Sequence, residues 1–240
     1  MLHGSEMQSG QNWVRESSFG TWFLGTDTWV KNVLRLAIED LEKLFAHRKT
    51  IYPHILDVGC GFGHSLLLLD EHFKPERLLG LDVDPEVKQR AADNADQCHA
   101  KVDFLVCNAE HMDIPDNTFD MVFCHQTFHH IIQQEEAIKE FYRVLKPGGV
   151  LLFAESCRRF IHSLVIKVLF RHPMDVQKTA EEYIQLIRDT GFELADAQIS
   201  KPYLWWTRLD LGMLERLGIP PATEREETLV NLVATKPLIG

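Results

Sequence analysis

Short apolar runs alternate with helix-period patterns along most of the chain. From Thr28 onward, Trp29, Val33, Leu36, Ala37, Leu41 and Leu44 recur at three- and four-residue steps. That spacing predicts one buried helix face, with Asp27 or Thr28 placed to cap it. The runs 55–58, 78–81, 102–106, 121–124 and 150–154 then predict strands, separated by helical patterns near 64–72, 85–97 and 134–145. Strands that are apolar throughout must hide both faces, so the expected fold class is α/β: a doubly wound parallel sheet covered by helices on both sides. Beyond residue 156 the pattern predicts helices near 158–170 and 178–190, a strand near 192–200 and a helix near 204–217. The break at Pro220-Pro221 and a last strand over 228–234 follow. Residues 1–20 lack periodicity and are expected to be a mobile tail, with structure beginning near Thr21 and a single domain over 21–240.

Composition narrows the partners. The chain has 240 residues, 45% of them apolar, which suits one domain with a sizeable core. Its 25 Lys and Arg against 35 Asp and Glu leave a formal charge of -10. Such a field repels phosphate backbones, which argues against a nucleic-acid binder. Cys60, Cys98, Cys107, Cys124 and Cys157 are odd in number, form no CxxC pair and fall mostly in apolar runs, as reduced buried thiols do. With no apolar leader and no run long enough to span a bilayer, the expected place is the cytoplasm and the expected state is monomer or homodimer.

Asp57-Val58-Gly59-Cys60-Gly61-Phe62-Gly63 follows the first strand directly. A βα turn there offers backbone N–H groups and a helix N-terminus to a ligand. A dinucleotide fingerprint would require glycine at position 64, which is His64, and no Lys-Ser/Thr pair makes a phosphate loop. The second strand ends on Asp82, whose carboxylate can accept two hydrogen bonds from a ribose diol; Asp84, before Pro85, fits a helix cap better. The third ends Cys107-Asn108-Ala109-Glu110, where an adenine edge could be read, and Leu145-Lys146-Pro147-Gly148-Gly149 turns into the fifth.

Together these segments resemble the class I S-adenosylmethionine-dependent methyltransferases, most closely the small-molecule, ubiquinone/menaquinone-biosynthesis-like members (methyltransferase type 11). The resemblance covers roughly residues 50–155. It implies a Rossmann-like seven-stranded sheet of order 3-2-1-4-5-7-6 with the last strand antiparallel. It also implies S-adenosyl-L-methionine as cofactor, S-adenosyl-L-homocysteine as product and an enzyme of the methyltransferase class. Carried over position by position, Asp57 would meet the methionine amino group, Gly59, Cys60 and Gly61 would lie against methionine and ribose, and Asp82 with Val83 would take the ribose. Asn108, Ala109 and Glu110 would stand at the adenine, where the family commonly has Asp in place of Asn108. His125 would line the methionine moiety. Under this reading 50–155 is the cofactor core, and 21–49, 156–190 and 201–226 are cap elements facing a small, apolar or aromatic acceptor. A non-catalytic cofactor-binding subunit and an RNA or protein methyltransferase are the alternatives.

Methyl transfer from a sulfonium depends mainly on positioning, and a general base is optional. His125 and His129 are the candidate catalytic residues, as base or positioning groups; packing or capping of the following helix is the competing reading for the 125–130 histidines. No metal site is expected, because no second ligand cluster is visible beside them. Cys60 and Cys124 also read as small packing residues. Residues 158–171 form a basic amphipathic pattern that either packs as a lid or touches a membrane surface. Tyr203, Trp205, Trp206, Leu209, Leu211, Met213 and Leu214, with Trp22, Phe23 and Trp29, are expected to build an aromatic cover over the acceptor.

Overall fold

The computed structural model describes Val14 and residues 16–208, 213–219 and 225–238. Its seven strands are β1 (His54–Val58), β2 (Arg77–Asp82), β3 (Lys101–Val106), β4 (Phe119–His125), β5 (Leu145–Ser156), β6 (Ile199–Ser200) and β7 (Leu229–Thr235). They form one sheet of order β3-β2-β1-β4-β5-β7-β6, parallel except that β7 runs antiparallel to both neighbours, as the resemblance implies. Alternate residues of each central strand serve opposite cores. Ile55, Met121 and Phe123 pack on one face, Leu56, Val122 and Cys124 on the other, all fully buried. Covering both faces of the sheet is what makes these strands apolar throughout.

Helix α1 (Ser18–Leu24) begins earlier than the expected ordering at Thr21, capped by Ser17, whose Oγ accepts the Gly20 N–H at 2.9 Å. Helix α2 runs through Asp27–Trp29, a π-helical turn Val30–Leu34 and Arg35–Lys43. Its cap is Thr26 rather than Asp27 or Thr28, with Oγ1 accepting from Trp29 N at 3.3 Å. The π turn adds a residue and shifts the helical phase. The buried stripe keeps the expected Val33, Ala37 and Leu41 and gains Leu34 and Ile38, while Leu36 stands exposed. Helices α3 (His64–Phe73), α4 (Val87–Ala95) and α5 (Gln134–Val144) follow where the periodicity predicts them.

After β5 the structure departs from the predicted pattern. The expected 158–170 helix is broken by a fresh cap at Ser163 into α6 (Arg158–Ile161) and α7 (Leu164–Leu169). Ile161 and Ile166 turn inward, and Leu164, Val165 and Val168 face solvent instead of forming a buried stripe. Helix α8 (Ala180–Asp189) carries a capping box from Thr179 and Glu182. The expected strand 192–200 shrinks to β6 plus a single bridge from Glu193 to Thr235, because a 3-10 turn at Asp196–Gln198 interrupts it. In place of a helix over 204–217 there are a 3-10 turn at Trp205–Thr207 and a short helix α9 (Met213–Arg216); 209–212 lie outside the described residues.

Candidate functional site

The strand order reverses between β1, which adjoins β2, and β4. That is the switch point where an open α/β sheet leaves a crevice at the carboxyl ends of its strands. A cavity of about 270 Å³ opens there, and Asp57, Gly59, Cys60, Gly61, Asp82, Val83, Asn108, Ala109, Glu110 and His125 all line it.

The three glycines are bare for three different reasons. Each has a positive φ: 75° at Gly59, 51° at Gly61 and 75° at Gly63. A Cβ on Gly59 would collide with the Thr127 side chain, and one on Gly63 would come within 2.9 Å of Ala91 Cβ on α4. At Gly61 the nearest atom is Gly59 O, 3.9 Å away, so that position alone faces open cavity. Gly59 thus borders the cavity with its backbone, while Thr127 fills the space that a Cβ would take.

Two acidic side chains shape the floor. Asp57, at 1% exposure, accepts from Ser65 Oγ at 2.5 Å; burial pushes its carboxyl up to about 7, the Ser65 bond opposing and the nearby Asp82 adding to the shift. Asp82 holds the loop, accepting from Gly61 N at 3.0 Å and Asp84 N at 2.9 Å. A carboxylate has about four lone-pair sites, so these two bonds leave capacity toward the cavity. On the opposite wall the Asn108 amide is folded onto Glu110: Oδ1 accepts from Glu110 N at 3.0 Å, and Nδ2 donates to Glu110 Oε2 at 2.8 Å. Glu110 in turn accepts from Gln133 N at 2.9 Å. These bonds fix the loop and leave Asn108 one lone pair and one N–H for a ligand.

The histidines separate. His125 lines the cavity with Nε2 lacking a hydrogen-bond partner, stacked near Phe123 and tilted 5.7 Å from Trp29. Burial, with a smaller effect from His129, pulls its pKa down to about 3, so it is neutral at physiological pH. His129 does not line the cavity. Its Nδ1 lies 2.6 Å from Glu155 Oε2, and both residues are buried. This corrects its candidacy as a base: its buried ring is not among the residues that border the cavity. Glu155 Oε1 also accepts from Thr127 N and Phe128 N, each at 2.7 Å, so one carboxylate ties the loop after β4 to the end of β5.

The cover is built differently from the expectation. Trp29, Leu24 and Leu34 line the cavity, and Phe23 of α1 packs edge-on against Phe170 at 6.0 Å. Ser17 Oγ donates to Leu169 O at 2.5 Å, and Glu16, in the supposed tail, accepts from Arg171 N at 2.9 Å. Tyr203, Trp205 and Trp206 are absent from the lining. Tyr203 lies under Arg208 and Arg225, Trp206 packs on Phe160, and Trp205, Trp22 and Met213 are exposed. Leu209 and Leu211 lie outside the described residues, as does the Leu214 side chain. Sequence reasoning missed Ser65, Thr127 and Glu155. Only Glu155 left a signal, a charge closing the apolar run of β5.

S-adenosylmethionine suits these walls chemically. It carries an ammonium and a sulfonium to set beside Asp57, a diol for Asp82, and a flat base for the Asn108 wall; Gly61 leaves room for close backbone approach. Residues 56–153 match the methyltransferase domain family. A phosphoethanolamine N-methyltransferase of Arabidopsis thaliana is 33% identical over 144 residues, 58% of this chain and 28% of that protein. A malonyl-[acyl-carrier protein] O-methyltransferase of Marinomonas is 25% identical over 158 residues, 63% of this chain and 57% of that protein. The chain thus spans less than a third of the phosphoethanolamine relative. A Haloferax volcanii methyltransferase, solved in complex with the Trm112 activator, superposes with a TM-score of 0.68 at 23% identity, over 92% of this chain and 97% of that one. With sheet order, glycine loop and domain match in agreement, residues 56–153 form a methyltransferase domain of the class I S-adenosylmethionine-dependent kind.

Proposed function

We propose that the chain binds S-adenosylmethionine through Asp57, Asp82, the Gly61 backbone and the Asn108–Glu110 loop, and methylates a small acceptor with an apolar or aromatic part. The observation that carries this reading is one cavity with two characters: a buried carboxylate floor beneath the glycine loop, and a cover of Leu24, Trp29, Leu34 and Ile131. When bound, the cofactor supplies an activated methyl group that needs a nucleophile held in line. The protein's part is to hold that line; Leu24 of α1 lines the cavity, and Phe170 packs against Phe19 and Phe23 of the same helix. His125 can orient an acceptor by hydrogen bonding, but a group ionising near 3 is too weak a base to deprotonate it at neutral pH. The acceptor therefore arrives with a free lone pair or loses its proton by another route. Relatives that methylate phosphoethanolamine and malonyl-carrier support a small or carrier-borne acceptor. Five unpaired cysteines support a reducing compartment such as the cytoplasm.

The test is calorimetric titration with S-adenosylhomocysteine, followed by a metabolite screen for its release from S-adenosylmethionine. Absence of binding would overturn the reading.

A second reading, a partner-dependent or surface-bound methyltransferase, rests on Leu164 and Val168, exposed at 80% and 81% beside the cover. The Haloferax neighbour's description as a complex with an activator favours it. Among the described residues no helix is long and apolar enough to cross a membrane.

A further inference from the structure

Three imidazoles from separate parts of the chain meet behind the cavity. His129 and His130 stand on the 3-10 turn Phe128–His130 after β4, and His172 comes from the segment after α7. Their ring centroids are 4.3 Å apart for His129 and His130, 5.1 Å for His129 and His172, and 4.7 Å for His130 and His172. One nitrogen from each ring lies within 4.8 Å of the other two. Among the described residues, neither His130 nor His172 makes a side-chain hydrogen bond, so their ring nitrogens are uncommitted. Gln177 Nε2 bridges the two segments, donating to His129 O and Pro173 O, each at 2.8 Å.

The carboxylate behind them gives the cluster its chemistry. With Nδ1 directed at Glu155, His129 keeps Nε2 for another partner, and a carboxylate behind a histidine orients and strengthens it as a metal ligand. We propose that His129, His130 and His172 form a mononuclear transition-metal site of the zinc type, supported from behind by Glu155.

The dimensions allow it. For three nitrogens no more than 4.8 Å apart, a central ion lies within about 2.8 Å of each. Movement of less than about 1 Å per ring reaches the roughly 2.0–2.1 Å of a zinc–imidazole bond. Three imidazoles with a further position left open is the arrangement of a catalytic rather than a structural zinc. His130 and Ile131 line the cavity, so the cluster borders the space where an acceptor would sit. This last step rests on the methyltransferase reading. There the ion would bind a hydroxyl or thiol of the acceptor and lower its pKa, the proton leaving to solvent, which is the activation that His125 cannot supply.

The test uses the full chain freed of metal by chelation and titrated with Co²⁺, whose visible absorption reports four- or five-coordinate imidazole ligation. One equivalent is expected, displaced by Zn²⁺, with binding weakened at least about 100-fold in His172→Gln and about 10- to 100-fold in Glu155→Gln. Calorimetry with S-adenosylhomocysteine is run on the same samples, and His172→Gln should bind it like the wild type, which also shows that the variant is folded. Absence of the absorption band, or a band that survives in His172→Gln because thiols or other histidines hold the ion, would overturn the site. Loss of S-adenosylhomocysteine binding in the wild type with the Co²⁺ band intact would overturn only its link to methyl transfer.

Discussion

Replacing Asp57 by Asn removes a proton that the structure holds unusually tightly. Burial lifts the Asp57 carboxyl to about 7, against 3.8 for an ordinary aspartate. Because the folded state binds this proton more tightly than the unfolded chain, the group's contribution to stability is complete below about pH 4 and is lost as pH rises through 7. The difference of about 3 pH units corresponds to about 4 kcal/mol. Urea unfolding of wild type and Asp57→Asn between pH 4 and 8 should therefore show the wild type losing about that much relative to the variant. Cofactor binding should act on the same proton. A ligand ammonium beside the carboxylate favours its ionised form, so binding expels the proton. If the bound value falls to about 4, release is about 0.9 proton at pH 6, 0.5 at pH 7 and 0.1 at pH 8. Calorimetry in two buffers of different ionisation enthalpy measures this, with Asp57→Asn supplying the ligand's own protons for subtraction. A stability difference that stays flat with pH, or equal proton release by both proteins at pH 6, would refute the reasoning.

The glycine loop yields a second test. Gly61→Ala should cost about 1–2 kcal/mol from its left-handed backbone, a fall in Tm of several degrees, while reducing S-adenosylhomocysteine affinity at least about tenfold. Gly59→Ala adds the collision with Thr127 and should lose about 3 kcal/mol or more; equal stability of the two variants in denaturant melts would discount that collision. At the cover, Phe170→Ala removes edge contacts to Phe19 at 5.6 Å and Phe23 at 6.0 Å. Amide exchange over 18–24 should quicken by about tenfold with global stability changed by no more than about 1 kcal/mol. Unchanged exchange would show that α1 is held by other contacts.

The cofactor half of the molecule was legible because its information is local. Strands buried on both faces must be largely apolar, and a turn at positive φ strongly favours glycine, so β1 to β5 and the 57–63 loop are visible in the order of residues alone. The π turn in α2 and the fresh cap at Ser163 were not, because both shift or break a helical phase through backbone hydrogen bonds that leave little trace in hydrophobic spacing. The cover was misplaced for a related reason. Trp205 and Trp206 are as apolar as Trp29, and only the path of the chain decides which of them reaches the cavity. The sequence by itself determined the sheet and the loop that offers its backbone to a ligand. Tertiary structure alone decided that Asp57 is buried enough to hold a proton near pH 7, that His125 stays neutral, and that His172 joins His129, His130 and Glu155. Desolvation and charge proximity depend on which distant segments pack together, and no spacing along the chain encodes them.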